Sequence, residues 1–179
     1  MYDDYAPIAG SPRTFFQVPL IKVSFHVTYP ITLIVFGKSK LPAHRELMEH
    51  YQTLLKRYVR LTLHELPESK QEGTSGLADE AARLRKHLKP QDYLILLSEV
   101  GPVMTSQDFA ATLSTHLNRG TSLVFAVGSS HGWDEGLKQE AARFLSLSPM
   151  TFPHDLARIL FCEQLYRAFS ILQGSPYHK

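Results

Sequence analysis

The chain has a single cysteine, Cys162, so no disulfide can form within it and nothing supports an oxidising compartment. Cys162 stands among the apolar residues of a helical run and reads as a core thiol. No stretch reaches the roughly eighteen uninterrupted apolar residues of a membrane-spanning helix, and Met1 to Arg13 carry acids where a signal peptide carries basic groups. The expectation is a cytoplasmic protein with no membrane contact. Metal-ligand spacing is missing too: nine histidines are scattered without an H-x-x-x-H or C-x-x-C pair, so no metal is expected. Strong charge of either sign is also lacking. A formal charge of +2 permits an anionic partner such as RNA but falls short of the basic signature of a monomeric nucleic-acid binder.

What is present describes one globular domain. The 179 residues, 44% hydrophobic and 20% charged, suffice to bury a sizeable core. Residues 1–29, with Pro7, Pro12 and Pro19, read as an extension in which Phe15 to Phe25 is a possible strand. Residues 30–179 form the domain itself. Here the pattern alternates: a buried strand over Ile31 to Phe36, then Leu47, Met48, Tyr51, Leu54, Leu55 and Tyr58 at helical spacing. A strand over Val59 to Leu66, a polar loop over Pro67 to Gly76 and a helix over Ala78 to Leu88 follow. Tyr93 to Leu97 and Leu123 to Val127 are continuous apolar strands separated by a helix from Ser106 to Asn118. Asp134 to Arg143 is a short helix, Phe144 to Leu147 a short strand, and Pro153 to Leu172 the longest helix, with Pro153 at its first position. Alternation of this kind predicts an α/β fold, a largely parallel sheet with helices on both faces.

In such sheets ligands bind beyond the carboxyl ends of the strands. Three loops are therefore candidates: Leu97 to Gly101, Gly128 to Gly132, and Ser148 to Phe152. The last two place small residues or proline ahead of a helix start, which lets backbone N–H groups approach a ligand. The terminal Gly174-Ser175-Pro176-Tyr177-His178-Lys179 reads as a placed tail that touches substrate. Gly128-Ser129-Ser130-His131-Gly132 also satisfies G-x-S-x-G, which would make Ser130 a serine hydrolase nucleophile with Asp155 and His178 following in order. So loose a pattern arises readily in a glycine- and serine-bearing loop, and this chain is short for that fold.

From Ile31 to Lys179 the sequence resembles the RlmH family of SPOUT methyltransferases. Ile31 to Lys38 (ITLIVFGK) is similar to the family's opening strand and Gly-Lys, Phe125 to Gly128 to its "FxIGG" strand end, and Gly132 to the glycine that closes that loop. Ser146 to His154 (SLSPMTFPH), followed by Arg158, resembles "lS-x-MTfPHql-R"; Glu163 to Ala168 (EQLYRA) resembles "EQiYRA", and Pro176 to Lys179 is the family's terminal "PYHK". The resemblance implies a C-terminal trefoil knot, a homodimer, and S-adenosylmethionine-dependent methylation of N3 of a pseudouridine in large-subunit (23S) ribosomal RNA. Cofactor contacts then fall on Leu97, Gly128, Ser129, Gly132 and Pro149, Met150, Thr151, Phe152, Pro153 and His154. His178, Tyr177 and Arg167 become the catalytic group, with His178 as the titrating residue, and Lys179 and Arg158 the contacts to RNA. The apolar Leu156, Ile159, Leu160 and Phe161 are expected to face the partner subunit.

This sequence departs from the family pattern at four places. Ser98 stands for an aspartate, with Glu99 as its possible substitute. Pro102 stands for a lysine and Ser129 for the loop's second glycine. Trp133 is uncommon and is expected to pack at the dimer interface or to stack on a base. The departures motivate a rival: a SPOUT-like RNA-binding protein without methyl transfer.

Overall fold

The computed structural model describes residues 29–175 and Tyr177. The expected strand over Phe15 to Phe25 and the tail residues Pro176, His178 and Lys179 lie outside the described residues.

Five strands, β1 (Tyr29–Phe36), β2 (Val59–Leu66), β3 (Asp92–Leu97), β4 (Ser122–Val127) and β5 (Arg143–Leu145), form one sheet in the order β2-β1-β4-β3-β5. Every pairing is parallel. The helices are α1 (Pro42–Leu55), α2 (Gly73–Arg85), α3 (Ser106–Asn118), α4 (Glu135–Glu140) and α5 (His154–Leu172). The α/β class predicted from the alternation is the one observed.

Side-chain alternation along the strands feeds two separate cores. Ile31, Leu33 and Val35 of β1, Ile95 and Leu97 of β3, and Leu123, Phe125 and Val127 of β4 pack with apolar residues of α1, α3 and α5. Ile34 and Phe36, Leu94 and Leu96, and Val124 and Ala126 face the other way, against Ala81 and Leu84 of α2 and Leu137 of α4. The sides follow from handedness. The steps β1 to β2 and β3 to β4 run one way across the sheet and the steps β2 to β3 and β4 to β5 the other, so a single crossover hand puts their helices on opposite faces.

Differences from the expected boundaries have local causes. The polar loop after β2 ends early, because α2 begins at Gly73 and stops at Arg85. The short helix starts where Asp134 accepts a hydrogen bond from the Leu137 N–H and ends where Ala141 turns extended. Ala142 N–H then donates to the Leu94 carbonyl, which draws Arg143 into β5 and leaves Leu147 outside it. Tyr58 falls beyond α1 and stacks on Phe169 of α5, ring centroids 5.7 Å apart. Pro153 is the N-cap of α5 and not its first helical residue, since its carbonyl accepts from the N–H groups of Leu156 and Ala157.

The sequence reading of α5 as a dimer face needs correction. Ile159 and Phe161 are buried within their own chain, because α5 packs against α1 and α3 over the sheet. Of the four apolar residues named for that face, Leu156 is exposed and Leu160 only half-buried.

Candidate functional site

The carboxyl ends of β3, β4 and β5 lie side by side, and the loops that leave them enclose a cavity of about 840 Å³. Its wall includes Leu97, Gly128, Ser129, Gly132, Met150, Thr151, Phe152, Pro153 and His154. Pro149, named with them, is exposed and does not line it. A volume of this size suits a small-molecule site. Leu97, Val127, Leu147 and Phe152 offer apolar surface, while Glu99, Glu135 and Lys138 supply charge. Lys138 is tied to Glu135 at 2.6 Å, which leaves Glu99, beside the departed acid position Ser98, as the wall carboxylate with no ion-pair partner among the described residues.

The three loops are braced against one another. Ser98 N–H donates to the Leu145 carbonyl and Ser146 N–H to the Pro102 carbonyl, so the β3 loop is stitched to the segment leaving β5. Trp133 is 7% exposed; its Nε1–H donates to the Leu97 carbonyl at 2.9 Å, and its ring meets Phe36 edge-on. The expected dimer-interface or base-stacking role for Trp133 is therefore corrected: it is a brace joining the β3 and β4 ends inside one chain. Gly128 is required by the same brace. A Cβ there would come 3.1 Å from the Gly132 carbonyl oxygen and 3.2 Å from the Trp133 ring. Gly132 closes the loop with φ +85°, a conformation side chains other than glycine's rarely adopt.

Ser129 does not leave a free hydroxyl in the cavity. Its Oγ donates to Oε2 of Glu80 at 2.8 Å, and the other oxygen of this 6%-exposed carboxylate accepts the Ser69 N–H at 3.0 Å. Glu80 thus ties the β4 loop to α2 and to the loop before it. Spacing gives no hint of this contact across 49 residues. One signal existed: Glu80 sits on the stripe Gly76, Glu80, Ala81, Leu84 that α2 buries, where a carboxylate needs partners.

The hydrolase constellation is not assembled. Ser130 is exposed, its Oγ lies 3.4 Å from Nδ1 of its own neighbour His131, and no described residue other than glycine has positive φ, so the strained elbow is missing. Asp155 is engaged elsewhere, accepting from Ser39 Oγ at 3.2 Å and pairing with Arg158 at 3.1 Å.

Arg158, expected to contact RNA, is corrected by its burial at 2% exposure. Its guanidinium donates to the carbonyls of Phe36 at 2.9 Å and Gly37 at 3.1 Å, pinning the end of β1 to α5. His154 opens α5 at the cavity wall, 3.6 Å from Glu68.

The other end of α5 carries a second cluster. Arg167 donates twice to Glu163, at 2.6 and 2.9 Å, and stands over the Tyr177 ring with its guanidinium carbon 5.1 Å from the centroid. The bond to Glu163 raises the Arg167 pKa further. Tyr177 also meets Tyr166 edge-on, at 4.6 Å. Tyr51 of α1, which sequence reasoning counted only as an apolar helix position, joins through its hydroxyl. Burial, followed by the charge and hydrogen bond of Tyr177, pushes its pKa up to about 12. Arg167 lies thirteen residues along α5 from His154, about 20 Å at 1.5 Å per residue. The cluster and the cavity of one chain are thus far apart.

Among the described residues no group of three or more His, Cys, Asp or Glu converges as metal ligands, and no helix is long and apolar enough to cross a membrane. A family model described as "Predicted SPOUT methyltransferase" matches residues 29–178. The ribosomal RNA large subunit methyltransferase H of Solidesulfovibrio magneticus is 36% identical over 151 residues, 83% of this chain and 98% of the relative. Proteins of the same name from Bifidobacterium adolescentis and Caldicellulosiruptor saccharolyticus are 37% and 33% identical over 157 and 153 residues, each match covering 83% of this chain and 99% of the relative. The loops that build the cavity and the helix that follows them all fall within the matched region, and the chain belongs to the SPOUT methyltransferase family, alongside the proteins named ribosomal RNA large subunit methyltransferase H.

Proposed function

We propose that the chain methylates large-subunit ribosomal RNA, at N3 of a pseudouridine, with S-adenosylmethionine as donor, in the cytoplasm and as a homodimer. The observation that carries the reading is the convergence of three loops, chosen on strand polarity and on the resemblance, around one cavity. The donor set fits the ligand. Apolar walls suit a flat base and a thioether chain, loop glycines leave backbone accessible, and the Glu99 carboxylate suits a cationic centre. When bound, S-adenosylmethionine supplies a methyl group already activated by a positive sulfur.

The protein's own work is then alignment and proton removal. Leu97, the loop from Gly128 to Gly132 and Met150 to His154 hold the donor, with Trp133 and Glu80 fixing those loops. Tyr177 and His178 belong to the acceptor side, where His178 takes the N3 proton and Lys179 meets phosphate. Arg167 stacks on Tyr177 and positions it. Arg167 lies about 20 Å along α5 from the cavity of the same chain, which supports a site shared between two copies. In this reading a second copy brings its tail to the first copy's cavity. The threaded C-terminal segment and the separability of residues 1–29 belong to the same reading.

The test is methyl transfer from labelled S-adenosylmethionine to large subunits or ribosomes that lack the modification, alongside calorimetric titration of the cofactor. Micromolar binding with transfer to a single pseudouridine is expected. RNA binding without any cofactor heat would favour the non-catalytic rival.

A further inference from the structure

With Arg158 removed from the RNA surface, the segment it pins becomes informative. Asp155 and Arg158, on the first two turns of α5, clasp the β1–α1 connection: Arg158 holds the carbonyls of Phe36 and Gly37, and Asp155 holds Ser39 Oγ. Ser39 points in and is 8% exposed, so Lys38 and Lys40 on either side of it are turned to solvent. Arg45, exposed on the first turns of α1, reaches back to the Ser39 carbonyl at 3.5 Å and joins them. Two cations on the loop and one on the start of α1 therefore stand together. The first turn of α1 has no acid and no side-chain cap, so its dipole adds to the positive potential.

The surroundings sharpen the contrast. Three other cations near the cavity are neutralised within the chain: Lys138 by Glu135, Arg85 by Glu140 and Asp134, Arg158 by Asp155 and Glu65. Among the described residues Lys38, Lys40 and Arg45 have no acidic partner. Asp155, which holds Ser39, pairs with Arg158, and Glu65 and Glu68 face Arg158 and His154. The clasp that holds the loop is built from Asp155, the residue after His154 of the cavity wall. A fixed cationic ledge thus stands beside the cavity without entering it.

We propose that Lys38, Lys40 and Arg45 form a phosphate-binding ledge for the RNA strand whose base is presented to the cavity, with the Asp155–Arg158 clasp setting its position. This rests on the proposed function for the identity of the RNA. Surface cations of this kind position a nucleic acid backbone and are read through salt dependence.

The test compares wild type with the triple variant Lys38→Ala, Lys40→Ala, Arg45→Ala and with the charge-keeping pair Lys38→Arg, Lys40→Arg. In methyl transfer to large ribosomal subunits, the triple variant should raise KM about tenfold or more. It should also flatten the slope of log kcat/KM against log salt by about 2, near 0.7–0.9 per lost phosphate contact. Saturated kcat and S-adenosylmethionine affinity should stay at wild-type values, and the Lys-to-Arg pair should behave as wild type. Unchanged KM and slope in the triple variant overturn the ledge, as does a parallel fall in cofactor affinity. A second arm uses anisotropy with a fluorescein-labelled large-subunit rRNA fragment. Should wild type bind the fragment in a salt-dependent way and the triple variant lose that binding, the ledge stands even where no methyl transfer occurs. Should the two bind alike, or neither bind, it falls.

Discussion

The two ends of α5 differ in what one chain completes. At its N-terminal end the cavity has its loops, its braces and its glycines in place, all drawn from a single chain. At its C-terminal end Arg167, Tyr166, Tyr177 and Tyr51 form a second cluster, none of whose members lines that cavity. On the proposed function the first is the receptor end and the second, about 20 Å away along the helix, the donor end. On that reading the difference teaches that the unit of function is larger than the unit of folding.

The largest expected effect breaks the receptor end. Thr151→Arg places a long cation on an exposed stretch of the cavity wall, where like charge opposes a sulfonium ligand. S-adenosylmethionine affinity should fall by about a hundredfold or more in calorimetry, roughly 3 kcal/mol, while the melting temperature stays within a few degrees. Gly128→Val should differ from it by losing stability as well, because the added Cβ meets the Trp133 ring and the Gly132 carbonyl. Loss of binding with an unchanged melting temperature in Gly128→Val would show that the brace yields freely.

The next effect breaks the donor end alone. Deleting Tyr177 to Lys179 should lower methyl transfer by orders of magnitude and leave cofactor affinity at its wild-type value. Full-rate transfer by the truncated chain would make the tail a packing element only. Tyr51→Phe, which removes the hydroxyl that meets Tyr177, should lower kcat by a smaller factor and leave cofactor affinity alone.

Smaller effects separate the two ends by spectroscopy and titration. Trp133 is the sole tryptophan and lines the cavity, so S-adenosylmethionine should change its emission, whereas tail deletion should not. Cys162, under the middle of α5, is buried and its thiol is pushed up to about 12, so thiol reagents at pH 8 should modify it only after unfolding. Burial, then the charges of Arg143 and Arg119, lowers the His116 pKa from its ordinary 6.5; burial, then His87, lowers that of His64. Between the lowered value and 6.5 the unfolded chain binds more protons than the native one. Stability from these groups is therefore whole above about pH 6.5 and lost as pH falls through the lowered values. Melting at pH 7.5 and 5.5 should show the drop, and His116→Gln should lessen it.

How much of this was legible follows from the range of each interaction. Continuous apolar strands such as Leu123 to Val127 and the capped α3 announce themselves within a window of a few residues, and strand polarity then points to the loops that line the cavity. Glu80, Trp133 and Arg158 could not be assigned that way, because their partners Ser129, Leu97 and Phe36 come from other elements. The tail motif was legible as a motif, but only the length of α5 shows that Arg167, which stands over Tyr177, lies far from the cavity of its own chain.

The most direct measurement joins the two ends from different chains. A Thr151→Arg subunit keeps its tail and loses its cavity, and a tail-deleted subunit keeps its cavity. Co-expressed with two tags and purified as heterodimers, they contain one intact pairing of the two possible, so each dimer should methylate large subunits at about half the wild-type rate. Heterodimers as inactive as the two parent homodimers would contradict the account, because each cavity would then depend on the tail of its own chain.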